Sequence, residues 1–190
     1  MYRDGISEGQ FSECLNRELT QIKDGIELVG AVDPHTGECI KVAFIVCTKR
    51  HNTRMFSETA PGTVRNICPG LVLDGTGGDS AVVSSVLNEF YLNSHETIQG
   101  TAKPTRYTLL FDEIGFKTSE LEMLTYWSTY LYCRCNRSVG IATPAYYAHW
   151  AAFRGKLLTA GIPDAEAQLV LDDLSKEWSD DVNCSSMYFI

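Results

Sequence analysis

Lys41-Val42-Ala43-Phe44-Ile45-Val46-Cys47-Thr48 is a nearly continuous apolar run rich in β-branched residues. A run this short and this apolar reads as a strand buried on both faces. Upstream, residues 7–29 read as an amphipathic helix. Ser7 and Gln10 have capping-box spacing, and Phe11, Leu15, Leu19, Ile22 and Ile26 recur at helical steps as a core-facing stripe. A helix with such a stripe needs a sheet to cover. Yet Met1–Asp4 leaves little room for a strand before it, so the chain is expected to begin inside a domain, at the end of a central strand.

Downstream, Leu71-Val72-Leu73 after Pro69-Gly70, residues 86–93 and residues 107–112 are further strand candidates. Residues 119–133 are expected to be helical, with Ser119 and Glu122 as a capping box and Leu121, Leu124, Trp127 and Leu131 following. Thr143 as N-cap, Pro144 at N1, then Gly161 and Pro163 bracket the next helix. Tyr146, Trp150, Phe153 and Leu157 are its expected buried stripe. Residues 164–178 form a last short helix with Leu171, Leu174 and Trp178 on one side. The order implies a mixed α/β domain, with 1–161 as its main body and 162–190 as a C-terminal helix and apolar tail. Gly75-Thr76-Gly77-Gly78-Asp79 lacks the Gly-Lys-Ser/Thr of a phosphate loop and reads as a hairpin loop.

The 190 residues are 44% hydrophobic and 21% charged, which excludes disorder as the whole account. No apolar run of 18 residues is present, and the N-terminus has no apolar signal segment. Seven cysteines at irregular spacings, with no Cys-x-x-Cys, point to reduced thiols in a cytoplasmic protein. The net charge of −8 argues, as a total, against nucleic-acid binding. Its distribution argues otherwise. Residues 41–70 carry 5 basic side chains against 1 acidic, and residues 101–160 carry 7 against 4, while residues 161–190 carry 1 against 7.

Several residues could carry chemistry. Asp4, between a strand end and a helix start, reads as a turn or cap aspartate, with a hard-metal ligand as the alternative. Lys49, Arg50, His51 and Arg54 follow the buried strand, where α/β sheets gather ligands, and suit phosphates or a solvated loop equally. Lys103 and Arg106 add charge of the same sign if their strand is a neighbour. Tyr132, Arg134 and Arg137 form a second basic group with a fork geometry suited to phosphate oxygens, although Arg134 also fits as a cation at a helix end. His149 lies at the edge of the stripe of its helix and, taken alone, reads as a core histidine. Arg154 lies about 140° round the helix from it.

Read together and in order, these segments resemble the C-terminal half of the PIWI domain of eukaryotic Argonaute proteins. The resemblance rests on Tyr2-Arg3-Asp4-Gly5-Ile6-Ser7-Glu8-Gly9-Gln10-Phe11, the Lys49–Arg54 cluster, Pro69-Gly70 with Asp74, and Phe90-Tyr91-Leu92-Asn93-Ser94-His95. It continues through Ile98–Thr105, Leu124-Thr125-Tyr126, Arg134–Val139, Pro144–His149 and Met187-Tyr188-Phe189. It implies a ribonuclease-H-like sheet and, in active members, cleavage of a target RNA paired to a small guide RNA. Two divalent ions, Mg2+ or Mn2+, would serve that cleavage. Asp4 matches the aspartate of the family's Arg-Asp-Gly motif and His149 its completing histidine, so both would be metal ligands and catalytic.

Lys49, Arg50, Arg54, His95, Lys103, Tyr132, Arg134, Arg137 and Tyr146 match positions along the guide backbone. Arg154 matches an arginine at the 5′-phosphate pocket, near which the Ile190 carboxylate would sit. The family's first catalytic aspartate and its mobile glutamate lie upstream of the Arg-Asp-Gly strand and are not in this sequence. Asn52 and Gly140 stand where relatives often have histidine and serine. The partners implied are a guide small RNA, its complementary target and the remaining Argonaute domains, with no membrane. The rival readings are a guide-binding module that recruits partners without cleaving, and a truncated product that exposes its apolar stripe.

Overall fold

A computed structural model describes residues 1–75, 82–84 and 87–179, without the side chains of 164, 165 and 174–179. The chain forms two compact units, Met1–Thr143 and a second from Pro144. The first is built on a five-stranded mixed sheet in the order β1-β2-β7-β6-β5. Its strands are β1 (Tyr2–Asp4), β2 (Ala43–Thr48), β5 (Leu71–Asp74), β6 (Asn88–Asn93) and β7 (Thr105–Asp112). β1 runs parallel to β2, and all other pairings are antiparallel. The short stretch at Tyr2–Asp4 is thus a strand, and within this chain it lies at the sheet edge rather than at its centre.

β2 confirms the expectation for residues 41–48. Val42 to Cys47 are all buried, Phe44, Val46 and Cys47 completely. Phe44 and Val46 pack with Val42 against Phe11, Cys14 and Leu19, flanked by Leu15, Ile22 and Ile26. The helical stripe is therefore real, but its helix is not uniform. A 3-10 turn (Glu8–Gln10) leads into α1 (Phe11–Cys14), then a π-helical turn (Leu15–Leu19), then α2 (Thr20–Val29). The Gln10 side chain accepts from the Ser7 backbone N–H at 3.0 Å, as the capping box requires. At the other end, Gly30 takes the left-handed conformation (φ 64°) that closes α2.

A hairpin of β3 (Phe56–Ala60) and β4 (Thr63–Asn66) branches from this body. It is mostly exposed and lacks an apolar face, so no periodicity announces it. The expected loop at 75–79 lies, after Gly75, outside the described residues, but the strands on either side of it pair antiparallel as a hairpin demands. Residues 85 and 86, at the start of the expected strand 86–93, also fall outside.

The opposite sheet face is covered by α3 (Thr118–Ser128), which departs from expectation at both ends. Its N-cap is Lys117, whose backbone N–H donates to the Glu120 side chain at 3.1 Å, so the capping glutamate is Glu120 rather than Glu122. It stops at Ser128 rather than 133. The Ser128 and Thr129 hydroxyls donate to the carbonyls of Thr125 and Tyr126 at 2.7 and 2.6 Å, competing for acceptors of the last turn. Its buried line is Leu121, as expected, with Thr125 and Ser128 in place of Leu124, Trp127 and Leu131. Thr125 is inward because it meets the Tyr2 hydroxyl at 2.9 Å. Leu124, Trp127 and Leu131 are exposed.

The second unit contains α4 (Thr143–Leu158) and α5 (Asp164–Ser179). The expected buried stripe of α4 holds only in its first half: Tyr146 and Trp150 are half-buried, while Phe153 and Leu157 are exposed, at 51% and 53%. On α5, Leu174 and Trp178 lie outside the described side chains.

Glu122 of α3 meets Asp74 at the end of β5. Burial first, and then the Asp74 carboxylate that shares a hydrogen bond with it, push the Glu122 carboxyl up to about 7 from an ordinary value of 4.5. The folded state holds this proton more tightly than the unfolded chain. Its contribution is therefore complete below pH 4.5 and declines as pH rises through 7. Glu122→Gln removes the ionisation and should raise the melting temperature more at pH 8 than at pH 5. An equal shift at the two pH values would show that the carboxyl pair carries no pH-dependent strain.

Candidate nucleic-acid interface

The sheet places Asp4 and the basic segments at one end. Asp4 pairs in register with Cys47, so the β1 and β2 carboxyl ends coincide. Thr48 is opposite Arg106 at the start of β7, and Arg106 is opposite Tyr91 near the end of β6. The chain therefore leaves β2 through Lys49–Arg54, enters β7 from Lys103, and leaves β6 into Ser94-His95, all at this end. Asp4 itself is half-buried, followed by Gly5 at φ 85°, a conformation that glycine takes without a Cβ penalty and that turns the chain into the first helix.

The loop after β2 is tied down. The Arg54 guanidinium donates to the carbonyls of His51 and Thr53 at 2.9 and 2.7 Å. His51 Nε2 lies 2.7 Å from the Pro104 carbonyl, and the ring stands edge-on to Tyr91 at 5.2 Å. Burial lowers the His51 pKa, and the cations Arg54 and Arg106 lower it further against the Pro104 bond. Lys49, Arg50 and Lys103 are exposed around this fixed loop.

The segment after α3 is strapped to the same end. The Ser94 hydroxyl donates to the Val139 carbonyl and that of Thr105 to the Gly140 carbonyl, while the Ala142 N–H donates to Tyr107 Oη at 3.0 Å. These bonds bring the Tyr132–Arg137 loop toward the β6 and β7 ends. Tyr132 is half-buried, Arg134 and Arg137 exposed, and Arg137 makes a loose surface pair with Glu96 at 3.8 Å. His95 packs on Gly140 so closely that a Cβ there would stand 3.0 Å from His95 Cε1. Burial first, then Lys49, lower the His95 pKa.

Residues on α4 belong to the second unit. Tyr146 is half-buried, His149 and Arg154 are exposed, and Ile190 lies outside the described residues. Sequence reasoning noticed Arg106 only as added charge. Its side chain is in fact 16% exposed, between Glu8 at 2.6 Å and Glu89 at 3.9 Å. An arginine in an alternating strand is the signal that could have pointed inward.

A comparison with known families adds identity to this geometry. Residues 1–159 match the model of the Piwi domain. The chain belongs to the Piwi domain family. It is 42% identical over 155 residues to Protein argonaute 5 of Arabidopsis thaliana, an overlap of 82% of this chain and 15% of that protein. The chain thus spans about 15% of the length of that Argonaute relative. Among solved structures, the C-terminal lobe of a budding yeast Argonaute superposes with a TM-score of 0.74 over 100% of this chain and 38% of that one, at 23% identity, which speaks for the fold. A Kluyveromyces polysporus Argonaute crystallised with a guide RNA gives 0.68 at 25% identity, over 85% of this chain and 19% of that one. The PIWI sheet described above is therefore ribonuclease-H-like, as the resemblance implied.

Within this PIWI segment, Gly140→Ala must displace the His95 ring. Because burial is the main cause of the lowered His95 pKa, NMR titration should find that pKa moved up toward 6.5 in the variant. An unchanged titration would show that the ring has room.

Proposed function

We propose that this segment works inside an Argonaute-length protein, where its basic sheet end holds the backbone of a small guide RNA. The observation that carries the proposal is the convergence of Lys49–Arg54, His95, Lys103 and the Arg134–Arg137 loop, drawn from four separated stretches, on one end of one sheet. Phosphate contacts of this kind position a strand without reading its bases. Sequence choice is left to pairing between the guide and a complementary target RNA. By the family resemblance, Tyr146 is assigned to the guide backbone, and Arg154 and the Ile190 carboxylate to the guide's 5′-phosphate end.

The proposed chemistry is endonucleolytic cleavage of the paired target. Asp4 offers a half-buried carboxylate at a strand terminus, the hard oxygen that Mg2+ or Mn2+ prefers, and His149 offers an exposed imidazole. The donor types fit a divalent ion, and Asp4 and His149 are the residues that would hold it. Among the described residues no group of three or more His, Cys, Asp or Glu forms a metal cluster, so this segment contributes part of a ligand set. When bound, such ions activate the attacking water and neutralise the leaving oxygen. The chain's own part is to hold the Asp4 carboxylate at a fixed strand end beside the guide-binding loops.

No described helix is long and apolar enough to cross a membrane, and the described cysteines are free thiols. The proposal places the protein in the cytoplasm, where such thiols stay reduced.

Two measurements test the proposal. In the Argonaute-length protein, Asp4→Ala should abolish target cleavage and leave guide binding intact. Loss of both together would make Asp4 structural. Lys103→Ala should weaken guide binding equally for all sequences and reduce the salt slope of log K by about 0.7, the value for one single-strand phosphate contact. A sequence-dependent loss, or an unaltered slope, would remove Lys103 from the backbone track.

A further inference from the structure

The turn that carries Asp4 is gripped by two arginines on the helix-covered face of the sheet. Arg3 makes a two-pronged pair with Glu18, at 2.7 and 2.9 Å, and its third nitrogen donates to the Asp4 carbonyl. Glu18 belongs to the π-helical turn Leu15–Leu19, and the widened turn there presents it to Arg3. Two strands away, Arg106 reaches back to Glu8, the first residue of the 3-10 turn, at 2.6 Å. Arg106 is anchored from behind by Glu89, a carboxylate 5% exposed that accepts from the Ser84 N–H at 2.8 Å and stands 3.9 Å from Arg106 Nε.

We infer that Arg106 is a positioning residue: through Glu8 it pins the turn that follows Asp4 to β7, the strand that also borders the guide-binding loops. Only three residues separate Asp4 from Glu8, so fixing Glu8 limits how far the Asp4 backbone can swing. Arg3 holds the near side of the turn and Arg106 the far side. The inference rests on the proposed role of Asp4, and it assigns no contact between Arg106 and RNA.

The test uses the Argonaute-length protein. Glu8 is 57% exposed as a side chain, so Glu8→Gln cuts the clamp without disturbing the buried Arg106–Glu89 pair. Glu13→Gln is the control, since it removes an exposed pair with Arg17 on the same helix. Hydrogen exchange at the Gln10 and Phe11 amides should quicken about threefold in Glu8→Gln, within the range of a partly exposed ion pair, with β2 amides unchanged. Single-turnover cleavage should slow by at least the same ~threefold factor with guide affinity unaltered. Unchanged exchange in Glu8→Gln, or equal quickening by Glu13→Gln, overturns the inference. If the unmutated protein cleaves no target, the cleavage proposal fails, and the exchange comparison still decides the clamp.

Discussion

Strand β2 has no face and no edge in water. Phe44 and Val46 are sealed beneath the first helix, Cys47 is sealed on the other side, β1 pairs along one edge and β7 along the other. Every neighbouring element is placed by the need to keep it so. The stripe from Phe11 to Ile26 exists to cover one face, and α3 lies over the other. Truncating a completely buried phenylalanine such as Phe44 costs about 3–5 kcal/mol, a large share of the stability of a small domain. The strand can surface only at its ends, and its carboxyl end is where Lys49 and its basic neighbours begin.

The net charge follows the same logic. A total of −8 describes the average of two populations. In the body of the sheet, acidic residues are partners: Glu18 for Arg3, Glu113 for Lys23 at 2.5 Å, Glu8 and Glu89 for Arg106. These pairs balance cations that hold elements together. Lys49, Arg50 and Lys103 stand exposed on loops at this end of the sheet, around a backbone stiffened by Arg54 and His51. Rigid loops with outward cations suit a polyanion whose binding must not cost much ordering of the protein.

Much of this was legible in the sequence, and for identifiable reasons. Continuous burial leaves an apolar run, so β2 could be read directly. A one-sided helix leaves a stripe, so residues 7–29 could be read too, although a π turn inside the helix leaves no mark in the spacing of apolar residues. α3 was misread because its inward side carries Thr125 and Ser128 beside Leu121, satisfied by the Tyr2 hydroxyl and a backbone carbonyl, while Leu124 and Trp127 face outward. Polarity alone cannot reveal a buried threonine whose partner comes from over a hundred residues away. The β3–β4 hairpin was invisible because an exposed hairpin needs no apolar face. The proposed site residues came as a list from the family resemblance. Their convergence was not legible, because it depends on strand order, which brings β7 between β2 and β6.

The central claim is that the β1, β2 and β6 carboxyl ends form the guide-binding surface. Photo-crosslinking of a loaded Argonaute-length protein, with 4-thiouridine placed along the guide and adducts mapped by mass spectrometry, tests it most directly. The account predicts crosslinks within 49–54, 94–103 and 132–140. Crosslinks concentrated at the opposite end of the sheet, in 31–40 and 113–117, would contradict it.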